Sequence, residues 1–392
     1  MTVTIVADVL GAENNGTTVA CMNLIRYLTE CGDNVRVVCC DKDKKDKDNY
    51  YIVDTLNLGR IPNAIIEKNN VSIAKADKKT VDQSLDGTDV VHIMTPFVLG
   101  RCALFEAISK NIPVTAGFHC QAENITSHLQ LMNDNRLNHA IYMNFYKSFY
   151  KYVDSIHYPT QFIREVFEKE TKCKTKAYVI SNGVNDIFRQ KETDKPEELK
   201  GKFIILFIGR FSREKSHSVL IRAVAKSRHR DSIQLIFAGS GPREFEIRQL
   251  AKKSGINQPV MKFFTRTELV DVINYSDLYC HPAEIEIEAI SCLEAITCGL
   301  VPVIANSPKC ATKNFAIDEK SLFKVNNVSD LAEKIDFWIE HEDLRKQYSK
   351  KYIENSEAVR QKECMRQMRN MLSETIERRK MNEEKNYPIF RY

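Results

Sequence analysis

Residues 203–242 read FIILFIGRFSREKSHSVLIRAVAKSRHRDSIQLIFAGSGP. Phe203–Ile208 is an unbroken apolar run of strand length, and Ile233–Ala238 is a second one. Such runs predict strands buried on both faces, as in a parallel sheet. Between them, residues 216–227 carry apolar side chains at helical spacing and predict the crossover helix. A Gly-rich turn, Phe237–Pro242, closes the second strand. Strand, helix and strand in this order open a Rossmann-like unit.

The same rhythm extends both ways. Downstream, Leu278–His281 and Val301–Ile304 predict further strands, and Val328–Arg379 reads as strongly helical. Upstream, Val3–Ala7 predicts a strand, Gly11–Gly16 a loop, and Val19, Met22, Leu24, Ile25 and Leu28 a helix. Val35–Cys40, Val90–Met94 and Val114–Phe118 predict more strands, with helical stretches such as 100–110 between them. A polar, charged stretch at 190–202 is the expected linker. The expectation is an α/β chain with an N-terminal Rossmann-like domain at 1–190, a second at 203–370 and a C-terminal helix and tail at 371–392.

At 392 residues the chain exceeds one ordinary core, which fits two domains. The formal net charge of +5 is small, and scattered basic residues with a single Trp leave no continuous stripe for nucleic acid. From His341 onward thirteen Lys and Arg face nine acids, a mild excess that an anionic membrane would attract. Twelve cysteines lack any CxxC pair and read as reduced, mostly buried residues of a cytosolic protein. No run of about eighteen apolar residues predicts a membrane span. A cytoplasmic chain, peripheral to the membrane's inner face at most, is expected.

The most specific stretch is HPAEIEIEAISCLEAITCGLVPVIA, residues 281–305. A strand end leads toward a helix, and Glu286 and Glu294 stand eight positions apart. Read as one helix, they fall within about 80° of each other around the axis. Glu286 is then expected at the helix N-terminus, where the macrodipole favours anions and free amides hold phosphate oxygens. Glu294, two turns deeper, suits a ribose diol. A Glu pair can also be a solvated helix face, but the apolar Leu293, Ala295, Ile296 and Cys298 leave these acids little neutral surface. In IGRFSREKS, residues 208–216, Arg210 and Lys215 meet at a strand-to-helix turn. A planar guanidinium and a compact ammonium suit a diphosphate whose charge grows as it leaves. Gly239 and Gly241 let a backbone approach a nucleotide closely.

Together these stretches resemble the retaining glycosyltransferase family 4, of GT-B fold with two facing Rossmann-like domains. The chain looks like a member of its bacterial glycolipid and cell-surface polysaccharide branches. The resemblance spans most of the chain: Gly16 in the first loop, HIMTPFVLG from His92, GFHCQAEN with His119, and VISNGVNDIF at 179–188. It implies C-terminal helices that cross back to the N-terminal domain. It also implies Arg210 and Lys215 on the donor diphosphate, Glu294 on the ribose, Glu286 on the transferred sugar and Gly16 near the phosphates. His119 would line the reaction centre from the N-terminal side, whereas His92 reads as a hydrogen-bonded core residue. Where most of the family has an aromatic residue and a Gly after the first Glu, this chain has Glu288 and Ala289; Glu288 matches a bacterial subgroup and would help read the sugar. A short loop after Phe264 departs from the family at the base subsite.

The implied function is a hexosyltransferase acting from a nucleotide sugar, UDP-linked, to a hydroxyl of a lipid-linked or saccharide acceptor, with retention. No cofactor is expected, because Arg, Lys and helix amides neutralise the diphosphate. The D-x-D spacing inside DKDKKDKD at 41–48 sits in a solvated charge run and reads as no metal site. No zinc spacing or GxSxG elbow is present. The aromatic helix 138–152, with Tyr142, Phe145, Tyr146, Phe149 and Tyr150, has an interfacial composition but reads first as a core stripe. Two rivals remain: a sugar-nucleotide epimerase on the same scaffold, which needs no acceptor, and a silent GT-B protein that binds donor without turnover.

Overall fold

The structure is a computed structural model that describes residues 1–8, 10, 16–57, 59, 73–127 and 131–384. The chain divides into two units, residues 1–182 with 362–392, and residues 183–361. Each is built on a sheet whose strands, among the described residues, all pair parallel.

In the first unit, strands β1 (Thr2–Val6), β2 (Asn34–Cys39), β3 (Tyr50–Ile52), β4 (Val90–Ile93), β5 (Val114–Gly117), β6 (Ser155–Tyr158) and β7 (Ala177–Val179) take the order β3-β2-β1-β4-β5-β6-β7 among the described residues. The second unit contains β8 (Phe203–Ile208), β9 (Ile233–Ala238), β10 (Val260–Lys262), β11 (Leu278–His281), β12 (Pro302–Asn306) and β13 (Leu322–Lys324), in the order β10-β9-β8-β11-β12-β13. β8 and β9 pair in full register from Phe203 opposite Ile233 to Ile208 opposite Ala238. Their apolar runs are buried nearly throughout, because helices cover both faces of a parallel sheet. In each sheet the strand order reverses once, at β1/β4 and at β8/β11, and the crevice beyond the carboxyl ends at such a reversal is where open α/β sheets take ligands.

The expected linker at 190–202 requires correction. The boundary falls between Asn182 and Gly183, and the polar stretch is tied into the second unit. Lys191 N donates to Asn274 Oδ1 at 2.8 Å, Lys195 Nζ meets Asp277 Oδ2 at 2.6 Å, and Val184 and Phe188 are fully buried in that unit's core. Polarity here marks a strap fastened by side chains. Residues 362–370 likewise leave the second domain. The helix Gln361–Glu384 inserts Cys364, Met365, Met368, Met371 and Leu372 into the core formed by Val3, Ile5, Leu24 and Val37. Arg369 clamps it there with a two-pronged contact to Asp33, at 2.7 and 3.1 Å.

The aromatic helix, Asn135–Ser148, is the core stripe its spacing suggests: Tyr142 and Phe145 are buried, as are Phe149 and Tyr150 beyond its end. In the 41–48 run, Asp41 is buried and accepts from Leu10 N at 2.6 Å, and Lys44 is buried as well. Among the described residues no helix is long and apolar enough to cross a membrane.

Candidate active site

Arg210 stands two residues past β8, on the carboxyl edge of the second sheet. It is half-buried, and burial lowers its guanidinium pKa while Glu214 opposes the fall. A short 3-10 turn, Arg213–Lys215, then places Lys215. That turn is fixed from below: Glu284 N donates to Glu214 O at 2.9 Å, Ser216 Oγ to Glu284 Oε1 at 3.1 Å, and Ser307 Oγ to Glu284 O at 2.7 Å. These bonds fasten the 213–216 turn to the segment after β11 and bring Lys215 Nζ onto Glu286 Oε1.

Glu286 does not begin a helix. The helix covers Ile290–Thr297, and Glu286 lies in an extended segment bridged to Cys310, with Ala311 N donating to Glu286 O at 2.9 Å. Ala289, left-handed at φ 60°, separates the segment from the helix. The single-helix reading of Glu286 and Glu294 is therefore corrected, and the helix dipole is not what holds Glu286. Its side chain is 13 % exposed and that of Lys215 is 18 % exposed. Burial, the largest effect on Glu286, pushes its carboxyl up, but Lys215 and His281 outweigh it and the pKa falls to about 2. Burial likewise pushes Lys215 down, and Glu286 and Glu214 together raise it. The outcome is a buried pair with both members charged.

Glu294 sits inside the Ile290–Thr297 helix and is buried. Arg266, which opens the helix Arg266–Tyr275, reaches it at 3.4 Å. Burial outweighs this long contact, and the carboxyl pKa rises to about 7. Glu288 is buried on the segment before that helix. The helix start is moored to β8 through Ser291 Oγ, which donates to Ile208 O at 3.2 Å.

Gly239 follows β9, and a methyl group there would lie 2.1 Å from the backbone oxygen of Gly209. At Gly241 it would lie 2.7 Å from Phe211 N. Only hydrogen fits, so the turn packs directly on the Gly209–Phe211 backbone next to Arg210. Arg210, Lys215, Gly239, Glu286, Glu288 and Glu294 thus belong to one unit, on segments that follow β8, β9 and β11.

Two expected residues belong to the other unit. His119 lies two residues past β5, with its ring over Gly117 and 5.5 Å from the ring of His157. Burial, with His157 and His92 nearby, holds it neutral. His92 Nδ1 pairs with Thr115 Oγ1 at 2.9 Å, the core role expected of it. Gly16 is the first residue of the helix Gly16–Glu30, and no described atom lies within 4 Å of where its side chain would go. Residues 11–15 of the expected loop lie outside the described residues.

Sequence reasoning missed Arg266 and His281. The first needed a partner 28 residues away in sequence, and nothing local marks it. The second was legible only as the last apolar-facing position of a strand.

Two Rossmann-like units with a charged site at the switch point of the second define a GT-B protein. The chain belongs to the family 4 and group 1 glycosyltransferases: it matches "Glycosyltransferase Family 4" over residues 14–187 and "Glycosyl transferases group 1" over residues 188–355. The alpha-monoglucosyldiacylglycerol synthase of Streptococcus pneumoniae is 24 % identical over 234 residues, 56 % of this chain and 52 % of that protein. The chain therefore spans about half the length of this curated relative. The solved structure of HepE from Anabaena with UDP and glucose is 13 % identical with a TM-score of 0.73, covering 95 % of this chain and 100 % of that one. The catalytic domain of cholesterol-alpha-glucosyltransferase from Helicobacter pylori is 46 % identical, covering 39 % of this chain and 96 % of that one, at a TM-score of 0.38.

Proposed function

We propose that this chain is a retaining hexosyltransferase that moves a sugar, glucose in the first instance, from its UDP-linked form to a hydroxyl of a lipid-linked or saccharide acceptor. One observation carries the reading: a charged Lys215–Glu286 pair and a buried Glu294 whose carboxyl titrates at about 7 lie on segments that leave the β8/β11 reversal. Arg210 and Lys215 receive the diphosphate and neutralise the charge that develops as it leaves. Gly239 admits the nucleotide close to the backbone. Glu294 accepts from the ribose diol, while Glu286 and Glu288 take the hydroxyls of the sugar. His119 serves the acceptor side. Positioning and fixed charge supply most of the rate, with no tightly held metal.

The glucosyl lipid named in the streptococcal synthase supports a lipid acceptor, and such an acceptor calls for a peripheral cytoplasmic enzyme at the membrane's inner face. The test is transfer from radiolabelled UDP-glucose, with other UDP-hexoses beside it, to vesicles holding diacylglycerol, cholesterol or a polyprenyl-linked sugar, and to free oligosaccharides. An acceptor-dependent labelled product with the donor's anomeric configuration supports the proposal. An inverted product removes retention. Donor isomerised without any acceptor would favour the epimerase, and donor bound but never consumed would favour a silent binding protein.

A further inference from the structure

The geometry points to a positioning residue beyond those assigned above: His281, oriented by Tyr279, is the second donor to Glu286 and holds that carboxylate in place when Lys215 turns to the donor diphosphate. The second half of this statement rests on the proposed function; the His281–Glu286 coupling does not.

His281 ends β11 and is completely buried, its ring 5.6 Å from that of Phe207 and 5.9 Å from that of Tyr279. Nδ1 lies 3.2 Å from Tyr279 Oη, and Nε2 lies 3.3 Å from Glu286 Oε1. A lone pair on Nε2 at that distance from a carboxylate oxygen would be repelled. The tautomer is therefore Nε2–H, with the Tyr279 hydroxyl donating to Nδ1. The Nε2–H faces Glu286 Oε1 off the line of an ideal hydrogen bond, and the contact already helps Lys215 lower that carboxyl. Lys215 Nζ occupies the same Oε1. A small rotation of the carboxylate completes the second bond.

That reserve matters once the ammonium leaves. A buried carboxylate stripped of its cation takes up a proton unless another donor faces it. Around Glu286 stand Lys215 with Glu214 from the 3-10 turn, His281 and Tyr279 from β11, Cys292 from the helix and Cys310 across the bridge. After Lys215 has turned away, His281 is the donor in that group. Burial keeps its imidazole neutral, so it contributes direction rather than charge.

Lys215→Met imitates the departed lysine, and NMR of the Glu286 carboxyl, assigned with Glu286→Gln, reads its titration. Adding His281→Phe is expected to raise the midpoint by about one pH unit or more, the scale of a lost hydrogen bond to a buried carboxylate. Adding His281→Gln, whose amide N–H replaces Nε2–H, is expected to restore most of that difference. An unchanged midpoint in Lys215→Met/His281→Phe would overturn the inference. Should that variant fail to fold, Tyr279→Phe in the Lys215→Met chain removes the tautomer lock, with an upward shift expected and no shift fatal. The titration requires no nucleotide. Absence of donor binding would sink the proposed function and leave this result standing, and a flat titration would do the reverse.

Discussion

Arg266 Nη2 stands 3.4 Å from Glu294 Oε1, too far to offset the burial of that carboxylate, whose pKa rises to about 7. Between the ordinary value of 4.5 and about 7, the folded chain holds a proton here that the unfolded chain has released. The group's contribution to stability is complete below pH 4.5 and is lost as the pH climbs to about 7, on the order of 3 kcal/mol at most. Glu294→Gln is isosteric and does not ionise. Thermal melts should show it more stable than the wild type at pH 8 and equal to it near pH 4.5. Under the proposed function the ribose needs the ionised form, so donor affinity of the wild type should rise from pH 6 to pH 8. Equal melts at pH 8 would remove the buried charge from the account.

Lys215 and Glu286 form the opposite case. Because Glu286 is depressed to about 2, its contribution is present above pH 4.5 and is lost as the pH falls toward 2. Glu286→Gln leaves a buried ammonium without its partner and should cost about 3 kcal/mol at neutral pH. Lys215→Met in the same chain should recover much of that loss. Urea melts of the double-mutant cycle measure the coupling, and strictly additive losses would show that the pair is not formed in solution.

How far the site could be read beforehand divides along a physical line. Phe203–Ile208, Ile233–Ala238 and Leu278–His281 are strands within the bounds expected of them, because parallel strands buried on both faces write themselves as apolar runs. β3, β7, β10 and β13, the edge strands of the two sheets, are three residues long, too short to leave a period in the sequence. The local elements that carry Arg210, Lys215 and Glu294 follow from sequence pattern, whereas their partners Glu286 and Arg266 come from distant segments. EIEIEAISCLEA permits helical spacing, and by that pattern Glu286 reads as a helical residue. Nothing in that string reveals the bridge to Cys310 or the left-handed Ala289, which are tertiary choices.

Ala289 itself offers a test. It adopts φ 60° and ψ 70°, in the left-handed region that favours glycine. An L-residue in this region costs about 1–2 kcal/mol, part of which glycine would return to the unfolded chain as entropy. Ala289→Gly should therefore raise the melting temperature, with a net gain of about 1 kcal/mol. A lower melting temperature would place Ala289 in another backbone conformation.

Metal removal probes the source of charge neutralisation. With Arg210 and Lys215 supplying it, dialysis against a chelator should leave turnover and donor affinity within about twofold of untreated protein. A loss of tenfold or more, about 1.4 kcal/mol, restored by a divalent cation, would require a metal on the diphosphate.

The most direct test of the account is calorimetric titration of UDP-glucose and the other UDP-hexoses into the wild type, Arg210→Ala and Glu294→Gln at pH 8, each confirmed folded by circular dichroism. The account predicts saturable binding of one UDP-sugar to the wild type and at least tenfold weaker binding to both variants. Equal affinity in all three proteins, or no binding of any UDP-sugar to the folded wild type, would contradict it.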